Sequence, residues 1–274
     1  MRKIYYLLSP TLRRLARRVW FFPTDLFDFF FRKRPLLVPP KGMIFIGPGN
    51  FVLIGDTFLA HLKRLCNLQP NNKVLDVGCG IGRIARPLTQ YLDNAGAYYG
   101  FDIVKEGIDW CTKNYAAYKN FTFKWVPLKN DLYNLSTVAE ASSFVFPYPE
   151  NFFDVVVLTS VFTHMQQNEV KQYIFEISRV LKKGGCCFCT FFMITQESDE
   201  LLLKSKTPFF AYRYNDFFLH DEKVKDANIA YKLDVIKAML YDAGLTIHSF
   251  HPGWWPGTPE SEALSYQDVL IMRK

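Results

Sequence analysis

The fold is decided by the stretch Lys73-Val-Leu-Asp-Val-Gly-Cys-Gly-Ile-Gly-Arg83. An apolar strand pattern over residues 73–77 runs directly into Gly78, Gly80 and Gly82, and a helical pattern follows. Glycines in this place permit a tight turn and let a ligand approach the backbone, while the helix N-terminus offers unpaired N–H groups. The stretch therefore predicts a ligand-binding loop between a strand and a helix.

Strand and helix patterns alternate on the C-terminal side of this loop. Apolar runs separated by helical periodicity are typical of βαβ units, which build a mostly parallel sheet with helices on both faces. We predict an α/β, Rossmann-like fold with a seven-stranded, mostly parallel sheet. The predicted strands are 73–77, 97–102, 121–126, 152–158, 185–193, 245–250 and 266–272, and the predicted helices are 82–92, 105–118, 166–182 and 229–243.

Three segments are expected along the chain. Residues 1–34 form a basic arm, the Pro- and Gly-rich residues 35–54 wrap the domain as a connection, and residues 55–274 form the domain itself, whose first helix would be capped by Asp56 or Thr57. No uninterrupted apolar run reaches the roughly 20 residues that span a bilayer, and no secretory signal pattern is found.

The arm accounts for the formal net charge of +7. It holds nine basic and two acidic side chains, and subtracting these from the totals of 33 and 26 leaves 24 of each in the remaining chain. After Ser9-Pro10, a typical helix start, apolar residues take one helical face and arginines the other. The apolar residues are Leu12, Leu15, Ala16, Val19 and Trp20, and the arginines are Arg13, Arg14, Arg17 and Arg18.

Three interpretations of the arm stay open. It could contact an anionic membrane peripherally, dock on the domain or on a second subunit, or serve as a removable mitochondrial presequence. We favour membrane contact. The expected location is cytoplasmic, with membrane association if the arm binds lipid. Six cysteines without zinc-site spacing predict buried reduced thiols and no metal site.

A second acid narrows the choice of cofactor. Asp102 ends the strand 97–102, and an acid there accepts hydrogen bonds from the hydroxyls of a ribose. A dinucleotide-binding loop reads Gly-x-Gly-x-x-Gly, whereas Arg83 stands at the last of these positions. The loop therefore fits a cofactor without a pyrophosphate better than it fits NAD.

Residues 73–83 together with Asp102 resemble the first two motifs of the class I S-adenosylmethionine-dependent methyltransferases. The likeness continues in residues 144–165, which are similar to the fourth-strand region of that family, and in residues 176–185, which resemble the helix and turn before its fifth strand. It covers roughly residues 55–273. The resemblance implies a methyltransferase that uses S-adenosylmethionine, but it brings no acceptor with it.

The resemblance also implies roles for individual residues. The glycine loop would contact the methionine part of the cofactor, Asp76 would hold the loop or the amino group, and Asp102 would bind the ribose. Ile103 would pack on the adenine. The predicted cofactor-binding residues are Asp76, Gly78, Cys79, Gly80, Gly82, Asp102, Ile103, Leu128 and Thr159.

The sequence departs from the family pattern after the third strand. Family members often carry an acid there for the adenine amino group, but Pro127 stands in this place and offers neither a side-chain acceptor nor an N–H donor. Adenine recognition is therefore assigned to the backbone of Leu128, or to Asp131 if the register differs.

His164 is the one candidate for a general base. It follows strand 152–158 on the ligand side of the sheet, and its ordinary pKa suits proton transfer near neutral pH. A packing role at the next helix is the preferred alternative. Two aromatic segments could line an acceptor pocket: residues 194–228, either a substrate lid or a packed insertion, and residues 251–257, whose Trp254 and Trp255 would form a wall or anchor the core.

The expected acceptor is a small molecule or a glycan-type, including lipid-linked, compound that is methylated at oxygen. A nucleic-acid acceptor is disfavoured, because the chain outside the arm is formally neutral and residues 159–162 lack the Asn/Asp-Pro-Pro-aromatic motif of amino-group methyltransferases. Two rivals remain: a protein that binds S-adenosylmethionine without transferring methyl groups, and, less favoured, an NAD-dependent oxidoreductase.

Overall fold

A computed structural model describes residues 9–204 and 209–274. The chain divides into two compact units, of which the first comprises residues up to 129 together with 133–137, and the second comprises 130–132 and the chain from 138 onward. Three strands of the first unit and four strands of the second belong to one mostly parallel sheet of seven strands. The predicted α/β class is confirmed.

The first unit begins with helix α1 and then alternates helices and strands. Its sheet order is β1-β2-β3, with both pairs parallel. Four of the five residues of β1 are buried, as expected for a strand covered on both faces. The elements are α1 (Pro10–Phe30), α2 (Phe51–Leu65), β1 (Lys73–Val77), α3 (Ala85–Tyr91), β2 (Ala97–Asp102), α4 (Lys105–Asn114) and β3 (Phe121–Trp125).

The second unit contributes four strands to the large sheet in the order β10-β11-β5-β4, where β4 and β5 are parallel and β11 is antiparallel to both β5 and β10. A smaller sheet has the order β6-β9-β8-β7. The elements are β4 (Phe153–Leu158), α5 (Gln167–Val180), β5 (Leu181–Phe191), β6 (Met193–Ile194), α6 (Gln196–Lys204), β7 (Tyr212–Arg213), β8 (Phe217–Leu219), β9 (Ile229–Lys232), α7 (Leu233–Asp242), β10 (Thr246–His251) and β11 (Asp268–Arg273).

Helix α2 starts earlier than predicted. The cap is Asn50, whose side-chain oxygen accepts hydrogen bonds from the N–H groups of Val52 and Leu53, so the helix begins at Phe51 and not at Asp56 or Thr57. A Cβ at Gly55 would lie 2.5 Å from the carbonyl oxygen of Arg83. This glycine, which weakens the helical pattern in the sequence, lets α2 pack closely against the chain that follows the glycine loop.

The predicted helix 229–243 is only partly correct. Its first four residues form β9, which pairs with both β6 and β8, and α7 occupies Leu233–Asp242. The predicted helix 82–92 likewise shortens to α3, because the glycine loop continues as turns through residue 84.

The described part of the segment 194–228 is a folded insertion. It supplies β7 and β8 to the smaller sheet, and its apolar side chains pack into a core with residues of β6, β9 and the C-terminal loop. Residues 205–208 of the segment lie outside the described residues. The core consists of Phe192, Ile194, Leu202, Phe209, Phe210, Phe218, Ala230 and Trp255.

The arm contains one helix of 21 residues. Ser9 caps α1 by accepting a hydrogen bond from the N–H of Leu12, and Pro10 takes the first helical position, as the sequence predicted. The helix continues through Pro23 to Phe30 and so absorbs the second apolar stretch of the arm. Residues 1–8, with Arg2 and Lys3, lie outside the described residues. Among the described helices, none is long and apolar enough to cross a membrane.

Candidate functional site

The glycine loop after β1 has a backbone that only glycine adopts easily. Gly78, Gly80 and Gly82 have φ angles of 73°, 59° and 80°. The N–H groups of Gly78 and Cys79 both donate to the carbonyl oxygen of Phe101, at 2.9 and 3.0 Å, which fastens the loop to the end of β2. The loop is therefore a turn that hydrogen bonds hold at the C-terminal end of β1, and its residues are buried from Cys79 to Gly82.

Asp76 lies buried beneath the loop. Its Oδ2 accepts a hydrogen bond from the hydroxyl of Tyr98 at 2.7 Å, while its Oδ1 has no hydrogen-bond partner among the described residues. Burial raises the pKa of Asp76 to about 7; the Tyr98 hydrogen bond opposes this shift and the charge of Asp102 adds to it. A buried carboxylate oxygen without a partner is costly, so Asp76 is poised to receive a cationic or hydrogen-bonding ligand group.

Asp102 ties the glycine loop to the end of β2. Its Oδ2 accepts from the N–H of Gly80 and its Oδ1 from the N–H of Val104, both at 2.7 Å. Burial raises the pKa of Asp102 to about 6, although the hydrogen bonds from Val104, Gly80 and Ile103 lower it in part. The carboxylate has about four lone-pair sites, one more than these three hydrogen bonds use, so Asp102 can hold the loop and accept from a ligand hydroxyl as well.

An open groove of about 750 Å³ lies in the first unit beside Ile103. The indole N–H of Trp125 donates to the carbonyl oxygen of Ile103 at 3.2 Å, and the two residues give the groove an apolar wall. Trp125 was not predicted as a site residue. The parallel register between β2 and β3 places it opposite Asp102, and this alignment of strand ends is the signal that could have found it.

The chain after β3 is held by its own hydrogen bonds. The N–H of Leu128 donates to the carbonyl oxygen of Val126 at 2.9 Å, and the carbonyl oxygen of Leu128 accepts from the side chain of Asn134 at 3.0 Å. Leu128 is buried. Asp131, the alternative residue predicted for adenine recognition, belongs to the second unit, where its backbone N–H donates to the carboxylate of Asp226. Recognition of adenine through the Leu128 backbone stays a prediction.

Thr159 and His164 follow β4 in the second unit. Thr159 is half-buried directly after the strand, and His164 ends a short 3₁₀ turn, Phe162–His164. The Nδ1 of His164 lies 2.8 Å from the carbonyl oxygen of Asp226. Because a carbonyl only accepts, Nδ1 carries the proton of the neutral ring and Nε2 the lone pair. Burial lowers the pKa of His164, and backbone groups of Asp226 and Ala227 offset part of the shift.

A polar cluster surrounds this histidine. The buried carboxylate of Asp226 accepts from the side chain of Gln166 at 2.8 Å and from the N–H of Asp131 at 2.9 Å. Burial raises the pKa of the neighbouring Glu169 to about 7; its hydrogen bond from the backbone of Gln166 opposes the shift, and nearby acids including Asp226 add to it. Sequence reasoning missed Asp226, because nothing in its local pattern indicates a contact with a turn 62 residues earlier.

The two tryptophans of the segment 251–257 have different surroundings. Trp255 is buried in the apolar core of the insertion, and its indole N–H donates to Asp268 at 2.8 Å. Trp254 is half-buried, with its ring 4.5 Å from that of Tyr266. Of the two roles predicted for these residues, Trp255 takes that of a core anchor.

The glycine loop with its two buried acids has the arrangement expected of a nucleoside-type cofactor site in a Rossmann-like α/β protein. Residues 75–189 match the family described as a methyltransferase domain. This match, over less than half of the chain, supports the resemblance to the class I S-adenosylmethionine-dependent methyltransferases and a cofactor of that kind.

Relatives with known names are methyltransferases as well. An uncharacterized methyltransferase of Schizosaccharomyces pombe is 30% identical over 156 residues, which are 54% of this chain and 52% of the relative. The sterol 24-C-methyltransferase of the same yeast is 31% identical over 125 residues, 46% of this chain and 29% of the relative. A tRNA N(3)-cytidine methyltransferase of Xenopus tropicalis is 29% identical over 115 residues, 42% of this chain and 31% of the relative. The matches thus span about half or less of these relatives.

The fold also has solved counterparts. The PH0226 protein of Pyrococcus horikoshii superposes with a TM-score of 0.54 at 16% identity, over 89% of this chain and 98% of that protein. At this level of identity the likeness concerns the fold alone.

Proposed function

We propose that this protein transfers the methyl group of S-adenosylmethionine to a small-molecule or glycan-type acceptor, with oxygen as the acceptor atom. The observation that carries the proposal is the buried Oδ1 of Asp76, which has no hydrogen-bond partner among the described residues and lies beneath a glycine loop that Asp102 holds in place. A buried carboxylate oxygen without a partner is costly in a purely structural turn, and the match to a methyltransferase domain gives it a use.

The residues present fit this cofactor. The Asp76 carboxylate would receive the ammonium of the methionine part, either directly or through water, and the remaining lone pair of Asp102 would accept from a ribose hydroxyl. Ile103 and Trp125 offer an apolar wall for the adenine. When bound, S-adenosylmethionine would supply a methyl group that an aligned acceptor takes by in-line attack on the methyl carbon, with S-adenosylhomocysteine as the leaving group.

His164 is the proposed base for an acceptor that carries a proton. Its lowered pKa keeps the ring neutral near pH 7, and the carbonyl of Asp226 orients it by holding Nδ1. The role of His164 as a base depends on the acceptor, because a methyl acceptor without an acidic proton needs no base. Thr159 is proposed to contact the cofactor, as its position directly after β4 implies.

A nucleic-acid acceptor is the second candidate. One relative is a tRNA methyltransferase, and this similarity keeps RNA among the acceptors to be tested. The neutral chain outside the arm favours the small-molecule or glycan class, since enzymes that follow a phosphate backbone usually present a basic face. Cytoplasmic location is part of the proposal.

The experiment has two stages. Isothermal titration should show that S-adenosylmethionine and S-adenosylhomocysteine bind and that NAD does not. A protein that does not bind the methyl donor would contradict the proposal. Transfer of a labelled methyl group is then measured with pools of hydroxylated small molecules, glycans and tRNA. Asp234→Asn, an exposed substitution in α7, is the matched control for Asp102→Asn, which should bind the cofactor at least about tenfold more weakly. Cofactor binding with no transfer to any pool favours a binding protein without transferase activity.

A further inference from the structure

Helix α1 is packed with its polar side toward the first unit. Arg18 forms an ion pair with Glu106 of α4 at 2.6 Å, and Arg14 approaches the same carboxylate at 3.7 Å. Arg17 donates to the carbonyl oxygen of Lys41 at 3.2 Å, and Arg13 is buried. The arginine face of this amphipathic helix is therefore its docked face, the reverse of the usual arrangement in a water-soluble protein.

The acids of the arm also point inward. Asp25 accepts hydrogen bonds from the N–H groups of Lys41 and Gly42, at 2.6 and 2.9 Å, and Asp28 lies 3.6 Å from the ammonium of Lys41. Both acids of the arm thus make contacts within their own unit. Negative charge is consequently removed from the outward side.

The apolar side of α1 faces outward. Trp20 is 79% exposed, Phe30 70% and Val19 69%. A continuous apolar face of this kind is unusual on a monomeric soluble protein and marks a surface that is covered in use. We call this surface the arm face; its exposed residues are Leu12, Leu15, Val19, Trp20, Phe22, Leu26, Phe27, Phe29, Phe30 and Phe31.

Basic side chains border the arm face at its C-terminal end. Arg32 and Lys33 are exposed, and the ammonium of Lys33 lies over the ring of Phe27, 4.6 Å from its centroid. Aromatic side chains beside cations suit the boundary between acyl chains and anionic headgroups. A second copy of this chain would bring the same excess of positive charge, which opposes self-association.

We propose that the arm face binds the surface of an anionic lipid membrane, with α1 lying flat in the interface. The aromatic and aliphatic side chains insert among the acyl chains, and Arg32 and Lys33 contact the headgroups. Because polar contacts fasten α1 to its own unit, the helix carries that unit to the membrane. The inference does not depend on the acceptor or on methyl transfer.

The test compares two triple variants of the full chain in co-sedimentation with vesicles. Val19→Ser/Trp20→Ser/Phe30→Ser alters the arm face, and Val138→Ser/Leu203→Ser/Tyr241→Ser removes three equally exposed apolar side chains elsewhere. With phosphatidylserine-containing vesicles, the first variant should bind at least about tenfold more weakly than the wild type, and the second should bind like the wild type. Phosphatidylcholine vesicles and high salt should each weaken binding.

Thermal unfolding monitored by circular dichroism checks that the arm-face variant folds, since its replaced side chains are solvent-exposed. Equal sedimentation of the wild type and the arm-face variant would overturn the proposal, as would equal binding to both kinds of vesicle. Light scattering after gel filtration gives the remaining outcome: a wild-type dimer that the arm-face substitutions convert to a monomer, without binding to vesicles, would assign the arm face to a second copy instead.

Discussion

Replacing Asp76 with asparagine should stabilise the protein at alkaline pH and weaken its cofactor site. Burial moves the pKa of this carboxyl from an ordinary value of 3.8 to about 7, so the folded state binds its proton more tightly than the unfolded state does. The resulting stabilisation is fully present below about pH 3.8 and is lost as the pH rises through about 7.

The size of the effect follows from the same two values. At about 1.4 kcal/mol per pH unit, the wild type should lose about 3 kcal/mol of unfolding free energy through Asp76 between pH 5 and pH 8. Asparagine keeps the acceptor for the Tyr98 hydroxyl and carries no charge. The unfolding free energy of Asp76→Asn should therefore not show this decrease between pH 5 and pH 8. Its amide nitrogen replaces an oxygen that has no partner among the described residues, so near pH 5 the variant should match the wild type within about 1 kcal/mol.

Urea unfolding of both proteins at several pH values measures the difference directly. Groups such as Glu169 and Asp268 titrate in both proteins, and subtracting the curves removes their contribution. Asp109→Asn, an exposed substitution, should leave the pH dependence of the wild type unchanged. A constant difference between Asp76→Asn and wild type from pH 5 to pH 8 would refute the reasoning. Titration with S-adenosylmethionine should show at least about tenfold weaker binding to the variant.

Three further substitutions probe the loop, the candidate base and the core. Gly80→Ala should lower the unfolding free energy by about 1–3 kcal/mol, because φ is 59° and the new Cβ would lie 2.6 Å from Ile46; urea unfolding should show that Ile46→Ala in the same chain recovers part of the loss. His164→Gln should reduce turnover by about a hundredfold with unchanged cofactor affinity, and full turnover would remove the histidine from the mechanism. Trp255→Phe keeps an aromatic ring in the core but loses the bond to Asp268, so chemical denaturation should show a loss of about 1–3 kcal/mol; an unchanged midpoint would mean that the bond adds nothing.

The sheet could be predicted from sequence where strands are buried on both faces. The strands 73–77 and 97–102 were predicted at the residues where they occur, because each is a short apolar run followed by a clear change of pattern. The predicted start of α2 was wrong. Gly55 weakens the local helical pattern, so the sequence did not indicate that the helix begins after Asn50. The helix prediction for residues 229–232 was wrong for another reason. These residues form a strand because they pair with β6 and β8, and local periodicity contains no information on such pairing.

The residues of the candidate site also divide into those that the local sequence indicates and those that it does not. Asp76 lies in the strand 73–77 and Asp102 ends the strand 97–102, so local patterns sufficed to place both acids on neighbouring strands, while their roles toward a cofactor stay predictions. Asp226 and Trp125 matter through contacts or register with residues far away in the chain, and no local pattern contains that information. The polar groups that position His164 belong to this second kind.

The segment between Ile194 and Lys232, which comprises the insertion and β9, has its two ends side by side, since Ile194 pairs with Lys232. Chain that leaves and re-enters a fold at adjacent points can be lengthened, shortened or exchanged at small entropic cost, about 0.6 kcal/mol for each doubling of a flexible loop. Such an attachment lets this segment change in length or sequence while the glycine loop, which belongs to the first unit, stays unaltered.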